Sequence, residues 1–276
     1  MKRKSILLVP LLLFTLFPSF TPTSATTNSC GKASSPDEIK YQSDEISNMD
    51  VLFERAIKDV NEDPDVPKAT VSLQKDNENV STDSIKTFTT TQKLKEFVMN
   101  DENITTYKAT SFTIIPKKTL GIEGGATEET NNPIDILNSL GQTKEGYDGS
   151  YSVIASNTTY YDYISCDTGG GPVGMYKITQ VSGSWRILDS QVRLGTGYVG
   201  WSVSTTGYSS ACVHQTPYQA GSYTNKGTIS PGSTYTIYPS QKYYGVSMSH
   251  FYIVGQQKVT IIRGGSSYTF ELQNRL

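Results

Sequence analysis

Apolar and polar positions alternate most clearly near the end of the chain, where Tyr268, Phe270 and Leu272 are each separated by one polar residue. A repeat of two residues predicts a strand with one buried and one solvated face. Residues 259–262 carry apolar side chains on both faces, which predicts a central strand. The Gly264-Gly265 pair between the two segments predicts a hairpin turn.

A second hairpin is expected between residues 175 and 194, which are rich in β-branched and aromatic residues. The sequence Ser182-Gly183-Ser184 predicts its turn, so that 175–181 pairs with 185–194. The apolar positions of the second arm change face near Ile187. This change predicts a β-bulge at that residue.

Spacings of three and four residues mark positions 46–60, where apolar side chains recur on one helical face. Ser35, Pro36 and Glu38 resemble a helix start, because they supply a hydroxyl cap, a proline at the first helical position and an acid three positions after the cap. We therefore expect an amphipathic helix that begins after Ser35, with a break near Ser43. Its apolar stripe is expected to pack on the helix's own domain.

Residues 86–116 favour a β-hairpin. The Thr-rich run at 87–91 favours a strand, the polar stretch 100–103 a turn, and residues 104–115 a second strand that ends at Pro116. A flexible acidic loop at 121–131 and a short helix at 133–140 are predicted to follow.

These elements predict a mainly β protein with a minor α part. We expect a signal peptide at 1–25, a disordered mature N-terminus at 26–34, an acidic α+β segment at 35–145, and a Tyr/Gly/Ser/Thr-rich antiparallel β domain at 146–276. The β domain is expected to be a β-sandwich or barrel-like, because β-branched and aromatic runs are separated by turn residues at intervals of about ten residues.

The first residues predict export. A cationic start at 1–4 precedes the apolar run 6–20 and the small residues 23–25, which is the order found in secretory signals. A membrane-spanning helix needs about 20 apolar residues, whereas this run is shorter and contains Pro10 and Pro18. We expect cleavage after Ala25 and a secreted or extracellular protein, either free or associated with the cell surface, with no integral span after cleavage.

Charge is distributed unevenly along the chain. Residues 26–145 carry a net charge of about −8 and residues 146–276 about +3. A nucleic-acid partner would require a basic stripe, which the sequence lacks. The glycines at 169–171 are followed by no lysine and no predicted helix, so they do not resemble a phosphate-binding loop. No cofactor is therefore expected.

The cysteines are Cys30, Cys166 and Cys212. In an oxidising compartment we expect Cys166 and Cys212 to form a disulfide, since both lie in the β-rich half. Unpaired thiols are the alternative.

A catalytic site has one candidate in the sequence. Cys212 and His214 would share a face of a strand, and Asp167 follows Cys166. Folding could therefore bring together a thiol, an imidazole and an acid for catalysis, or make Cys212 and His214 two ligands of a metal. No further motif surrounds these residues, so we favour a bridged Cys212 and a surface His214, with no catalytic residue and no metal site. His250 is expected to be half-buried on a strand.

Tyrosine is the most informative surplus, because 16 of the 18 tyrosines lie after residue 146. Neighbouring tyrosines in a strand point to opposite faces, so some must be exposed, where they would stack on sugar rings or form a protein interface. The clustered tyrosines that we predict to bind are Tyr160, Tyr161, Tyr163, Tyr235, Tyr238, Tyr243 and Tyr244.

Three functional hypotheses follow. The leading one is a non-catalytic secreted or cell-envelope protein that binds a glycan or a protein surface through exposed tyrosines. The second is a membrane-active toxin or bacteriocin-like protein whose Ser/Thr-rich segments, such as 88–92 and 152–161, insert as amphipathic hairpins. The third is a secreted hydrolase that uses Cys212 and His214.

Overall fold

A computed structural model describes residues 36–121, 151–247 and 250–276. The predicted signal peptide, the N-terminus at 26–34, the short helix at 133–140 and, apart from Gly121, the loop at 121–131 lie outside the described residues. Within them, no helix is long and apolar enough to cross a membrane.

The described residues form mostly strands, with a single α-helix, so the prediction of a mainly β fold with a minor α part is confirmed. In chain order the elements are β1 (Glu38–Gln42), α1 (Met49–Ile57), β2 (Lys68–Lys75), β3 (Glu78–Asn79), β4 (Lys86–Met99), β5 (Glu102–Pro116), a 3-10 turn (Lys118–Leu120), β6 (Tyr151–Asp167), β7 (Pro172–Ile187), β8 (Val192–Tyr208), β9 (His214–Thr228), β10 (Thr234–Ile237), β11 (Tyr244–Gly245), β12 (Tyr252–Arg263) and β13 (Ser266–Arg275).

The strands form two layers in which every pair is antiparallel. The first layer has the order β1-β4-β5-β6-β7, with β10 and β11 along the far side of β7. The second has the order β9-β8-β12-β13-β2-β3. Because β11 pairs with both β7 and β8, the two layers are continuous through hydrogen bonds.

The layers pack face to face around one hydrophobic core. Val153 and Trp185 from the first layer and Val199 and Phe270 from the second belong to the same cluster of buried side chains. The fold is therefore an antiparallel β-sandwich. Strands on either side of residue 146 contribute to both layers, since β5 pairs with β6 and β2 pairs with β13.

Two predicted hairpins are confirmed. Strands β4 and β5 pair from end to end and turn through Asn100 and Asp101, both of which have positive φ. Strands β12 and β13 pair likewise and turn through Gly264 and Gly265, with φ of 55° and 85°. Such a turn requires left-handed backbone, which glycine adopts at little cost.

The predicted helix start at Ser35 is wrong. Residues 38–42 form strand β1, which pairs with β4, and the helix begins only after Asn48. The Asn48 side-chain oxygen accepts hydrogen bonds from the backbone N–H groups of Asp50 and Val51 at 2.9 and 3.3 Å. A partner strand outside the segment therefore overrode the local helix signals near Pro36.

The buried face of α1 packs on its own fold, as predicted. Leu52 and Phe53 are 2% exposed and lie against Phe112 and Ile114 on the outer face of the first layer. The Phe53 and Phe112 rings are 5.0 Å apart and edge-on. The helix thereby covers the apolar side chains of this face around Phe112 and Ile114.

The predicted turn at Ser182-Gly183-Ser184 is wrong, because β7 runs unbroken through it. A Cβ atom on Gly183 would overlap Gln257 Oε1 and would lie 2.9 Å from a Val199 methyl group on the opposite layer. Glycine is therefore present for close packing between the layers. The chain turns instead between β7 and β8, at residues 188–191.

The predicted bulge near Ile187 is also wrong, since Ile187 faces Val153 in regular register. The register of the β6–β7 pair shifts instead between Tyr160, which pairs with Gln180, and Tyr161, which pairs with Ile178.

Candidate binding face

The outer face of the second layer carries rows of polar and aromatic side chains, and we refer to it as the binding face. One row crosses five strands in register and consists of Asn225, Tyr198, Lys258, Glu271 and Ser72. Neighbouring strands are about 4.8 Å apart, so the row is roughly 19 Å long. This length exceeds that of a single sugar ring.

A second row lies beside the first and contains Tyr223, Gly200, Gln256, Gln273 and Thr70. Residues two apart on a strand share a face, so both rows project to the same side. Apart from the tyrosines, the two rows present amides, hydroxyls and charged groups. The face therefore differs in chemistry from the apolar interior on the other side of the same strands.

Tyr198 and Tyr223 form a ring pair on this face. Their ring centroids are 5.1 Å apart, with the planes inclined by 38°. Tyr223 is 67% exposed, whereas Tyr198 is half-buried. Gly200, opposite Tyr223 on β8, has no side chain to cover the ring. The pair offers an accessible aromatic surface with two hydroxyl groups.

A depression of about 170 Å³ lies next to the ring pair. Its lining combines the two rings with hydroxyl, amide and ammonium groups, supplied by Thr196, Tyr198, Tyr223, Asn225, Lys258, Thr260 and Thr269. Donors and acceptors therefore surround the aromatic surface.

The Tyr198 hydroxyl stays protonated well into the alkaline range. Burial, followed by the negative charge of Glu271 and by the neighbouring Tyr223, raises the pKa of Tyr198 to about 12. The protonated hydroxyl can both donate and accept a hydrogen bond. Lys258 and Glu271 stand opposite each other on β12 and β13 and supply one cation and one anion to the face.

The strands that carry the ring pair are anchored from the interior side. Val199 and Trp201, which alternate with Tyr198 and Gly200, are buried in the core. The Trp201 indole Nε1 donates to Ser222 Oγ at 2.9 Å, which ties β8 to β9. The ring pair thus rests on paired strands that the core holds in place.

The tyrosines predicted from the sequence do not form one surface. Tyr161 is fully buried, Tyr244 is 6% exposed, and neither is accessible to a ligand. The Tyr161 hydroxyl donates to the buried carboxylate of Asp63. Both groups are buried; burial raises the pKa of Asp63, and burial together with Asp63 raises the pKa of Tyr161.

The other predicted tyrosines are spread over the fold, and four of them contact other side chains of the protein. The Tyr160 hydroxyl donates to Glu45 at 2.6 Å on the outer face of the first layer. Tyr163 lies 5.5 Å from the Tyr176 ring, Tyr235 6.1 Å from Trp185 and Tyr243 5.4 Å from Tyr218, all between ring centroids. Tyr238, with 73% exposure, is the most exposed of the seven.

The cysteine and histidine candidates also lie apart from the binding face. Cys166 and Cys212 are joined by a disulfide, and a sulfur bound in this way is not available as a thiolate nucleophile. His214 is exposed, with its ring 5.6 Å from that of Tyr208. His250 is exposed, so the expectation of a half-buried residue is wrong.

Sequence reasoning missed Tyr198 and Tyr223, because they are isolated tyrosines 25 positions apart. They meet only through the register of β8 with β9, which places Gly200 opposite Tyr223. The alternation of Tyr198 with buried Val199 and Trp201 was the available signal for one outward-facing ring. The partner ring had no comparable signal, since most residues of β9 are polar or small.

The protein is therefore an antiparallel β-sandwich in which the outer face of the second layer is polar and carries tyrosines. No protein-family model, curated protein or solved structure shows significant similarity to the chain. A functional interpretation therefore depends on the geometry of the face itself.

Proposed function

We propose that the protein is an exported, non-catalytic glycan-binding protein whose ligand lies across the binding face. The observation that carries this proposal is the accessible ring pair of Tyr198 and Tyr223, which is surrounded by hydroxyl, amide and charged groups. A sugar ring has an apolar face and a rim of hydroxyls. The apolar face stacks on tyrosine, and the hydroxyls exchange hydrogen bonds with the surrounding side chains.

The shape of the face favours an oligosaccharide over a single sugar. The row from Asn225 to Ser72 crosses five strands, so several sugar units could contact it at once. The same face is less suited to a stable protein partner, since the centre of such interfaces is depleted of charged residues. Here Lys258 and Glu271 occupy the centre of the row.

Export is a separate part of the proposal and has its own support. The order of charged, apolar and small residues in the first 25 positions is typical of a secretory signal. A disulfide between Cys166 and Cys212 fits an oxidising compartment. N-terminal sequencing of the secreted form should begin after Ala25, and retention of the full chain inside cells would contradict this part.

Tyr223→Ala tests glycan binding most sharply, with Tyr238→Ala as its matched control. Both tyrosines are strongly exposed, at 67% and 73%, but only Tyr223 belongs to the ring pair. Loss of a central aromatic contact costs about 2 kcal/mol or more, which corresponds to roughly thirtyfold weaker binding.

The experiment is a screen of the wild-type protein on immobilised glycans and cell-envelope polysaccharide, followed by titration of the strongest ligand with each variant. We expect Tyr223→Ala to lose most of the affinity and Tyr238→Ala to retain it. Equal affinity of both variants, or no glycan bound by the wild type, would refute the proposal.

A further inference from the structure

The binding face carries an excess of positive charge. On β2, β8, β12 and β13 its residues alternate with side chains of the core. In these four fully described strands, the charged residues at the outward positions are Lys68, Arg193, Lys258, Arg275 and one carboxylate, Glu271. Four cations and one carboxylate give a net charge of +3, whereas the whole chain has a formal net charge of −2.

The four cations lie on a diagonal line, which we call the cationic track. It crosses four neighbouring strands in the order β8, β12, β13 and β2. In register, Arg193 on β8 and Lys258 on β12 are offset by four residues, as are Lys258 and Arg275 on β13. Arg275 pairs directly with Lys68 on β2. With about 3.4 Å per residue and about 4.8 Å between strands, each offset step is about 14 Å long.

Lys258 occupies the middle of the track and lines the depression beside the ring pair. Within residues 36–121, 151–247 and 250–276, the side chains of Arg193, Lys258 and Lys68 have no ion-pair partner. Glu271, which faces Lys258 across the strands, accepts a hydrogen bond from Gln273 Nε2 at 2.6 Å. The Lys258 ammonium is therefore available for a charge-assisted hydrogen bond to an anionic group.

The two ends of the track differ. Arg193 is exposed. At the other end, Lys68 and Arg275 share a cleft with Asp65, and Arg275 Nη2 donates to the Phe251 carbonyl at 2.6 Å. The Asp65 carboxylate opposes the positive potential there. Lys258, which is also nearest to the ring pair, is therefore the main anchor of the track.

We infer that the ligand of the binding face is an acidic glycan, whose carboxylate or sulfate groups contact Lys258 and the rest of the track while a sugar ring stacks on Tyr198 and Tyr223. This inference rests on the proposed glycan-binding function and specifies the class of ligand. A cation every 14 Å or so along most of the track fits a polymer that is charged on only some of its units. Duplex DNA carries one charge per about 1.7 Å, which is far denser than the track.

Calorimetric titration of the whole mature protein with matched saccharides tests this inference. The probes are oligogalacturonate and its methyl ester, and dextran sulfate and dextran, so that the two members of a pair differ in charge. We expect the acidic member of at least one pair to bind at least tenfold more tightly than its neutral partner, and that pair assigns the carboxylate or the sulfate. Binding should weaken when NaCl is raised from about 0.05 M to about 0.5 M, because salt screens exposed charges.

The outcomes separate this inference from the function on which it rests. Neutral saccharides that bind as tightly as acidic ones, with binding still lost in Tyr223→Ala, would refute the acidic ligand and leave glycan binding intact. No binding of any saccharide would refute both. Equally tight binding of oligothymidylate would also refute the acidic glycan, because the face would then attract polyanions in general.

Two substitutions of opposite sign test the anchor itself. Lys258→Gln should weaken binding of the acidic glycan roughly tenfold or more, the amount expected for one lost charge-assisted contact, and leave neutral saccharides unaffected. Glu271→Gln should strengthen it, because this change removes the carboxylate opposite Lys258. Lys58→Gln on α1, where the lysine side chain is 61% exposed, is the control and should bind as the wild type does.

Melting temperatures of the three variants separate loss of charge from loss of folding. Unchanged affinity of a folded Lys258→Gln variant for the acidic glycan, or weaker binding by Glu271→Gln, would overturn the inference.

Discussion

Removal of the disulfide should destabilise the protein by an amount that follows from its position in the chain. Cys166, at the end of β6, is joined to Cys212, in the connection between β8 and β9, across a sequence separation of 46 residues. Constraint of an unfolded loop of this length contributes about 4 kcal/mol in the chain-entropy description. For a chain of this size, 1 kcal/mol shifts the melting temperature by about 2–4 °C.

The double variant Cys166→Ala/Cys212→Ala should therefore melt roughly 8–16 °C below the wild type. Cys166 is fully buried, so part of the change will come from the lost sulfur contacts. Melting of the wild-type protein with and without a reductant isolates the contribution of the covalent bond. Cys30→Ala is the control and should melt with the wild type.

The assay is thermal unfolding followed by circular dichroism, together with peptide mapping under non-reducing conditions. A reductant should lower the wild-type melting temperature and leave that of the double variant unchanged. An unchanged melting temperature of the wild type in the reductant, or a crosslink that contains Cys30, would contradict a stabilising Cys166–Cys212 bond.

Three further predictions concern the core and the helix. Gly183→Ala should lose about 1–3 kcal/mol of unfolding free energy by overpacking, whereas Gly170→Ala, where a new Cβ meets no atom within 4 Å, should be neutral; equal losses in urea titrations would contradict the close packing of the layers. Asn48→Ala should cost about 1 kcal/mol through loss of the helix cap, and an unchanged urea midpoint would argue against this cap. Alkaline pH should also destabilise the fold, because burial, followed by nearby negative charges, raises the pKa of Tyr107 to about 12. The unfolded state loses this proton first, so the associated stability is complete below pH about 10 and is lost as the pH rises through about 12; a urea midpoint that stays constant over this range would contradict the burial of the tyrosine.

The parts of the fold that were predictable from the sequence are those set by local alternation and turn residues. The β4–β5 and β12–β13 hairpins each combine a period of two with a turn, and nearby residues determine both features. Strand β1 was not predictable in the same way, because its pairing with β4 joins Glu38 to Val98, which are far apart in the sequence. Gly183 was mistaken for a turn residue because Gln257, the side chain that requires glycine there, lies on another layer.

The binding face was also hard to predict, because contacts between residues distant in the sequence determine it. Clustering along the chain drew attention to Tyr161 and Tyr244, yet tertiary packing buries both. Tyr198 and Tyr223 are ordinary in the sequence and become neighbours through strand register alone. Exposure and proximity depend on which strands pair, and a single sequence does not reveal that pairing when the strands are as polar as β9.

Chemical-shift mapping tests the account most directly, because it reports where on the sandwich a glycan binds. The backbone amides of the labelled protein would be followed during titration with the strongest saccharide from the screen. We predict that the largest changes cluster on β8, β9, β12 and β13, around Tyr198, Tyr223 and Lys258. Changes centred on the first layer, with the ring pair unaffected, would contradict the proposed function.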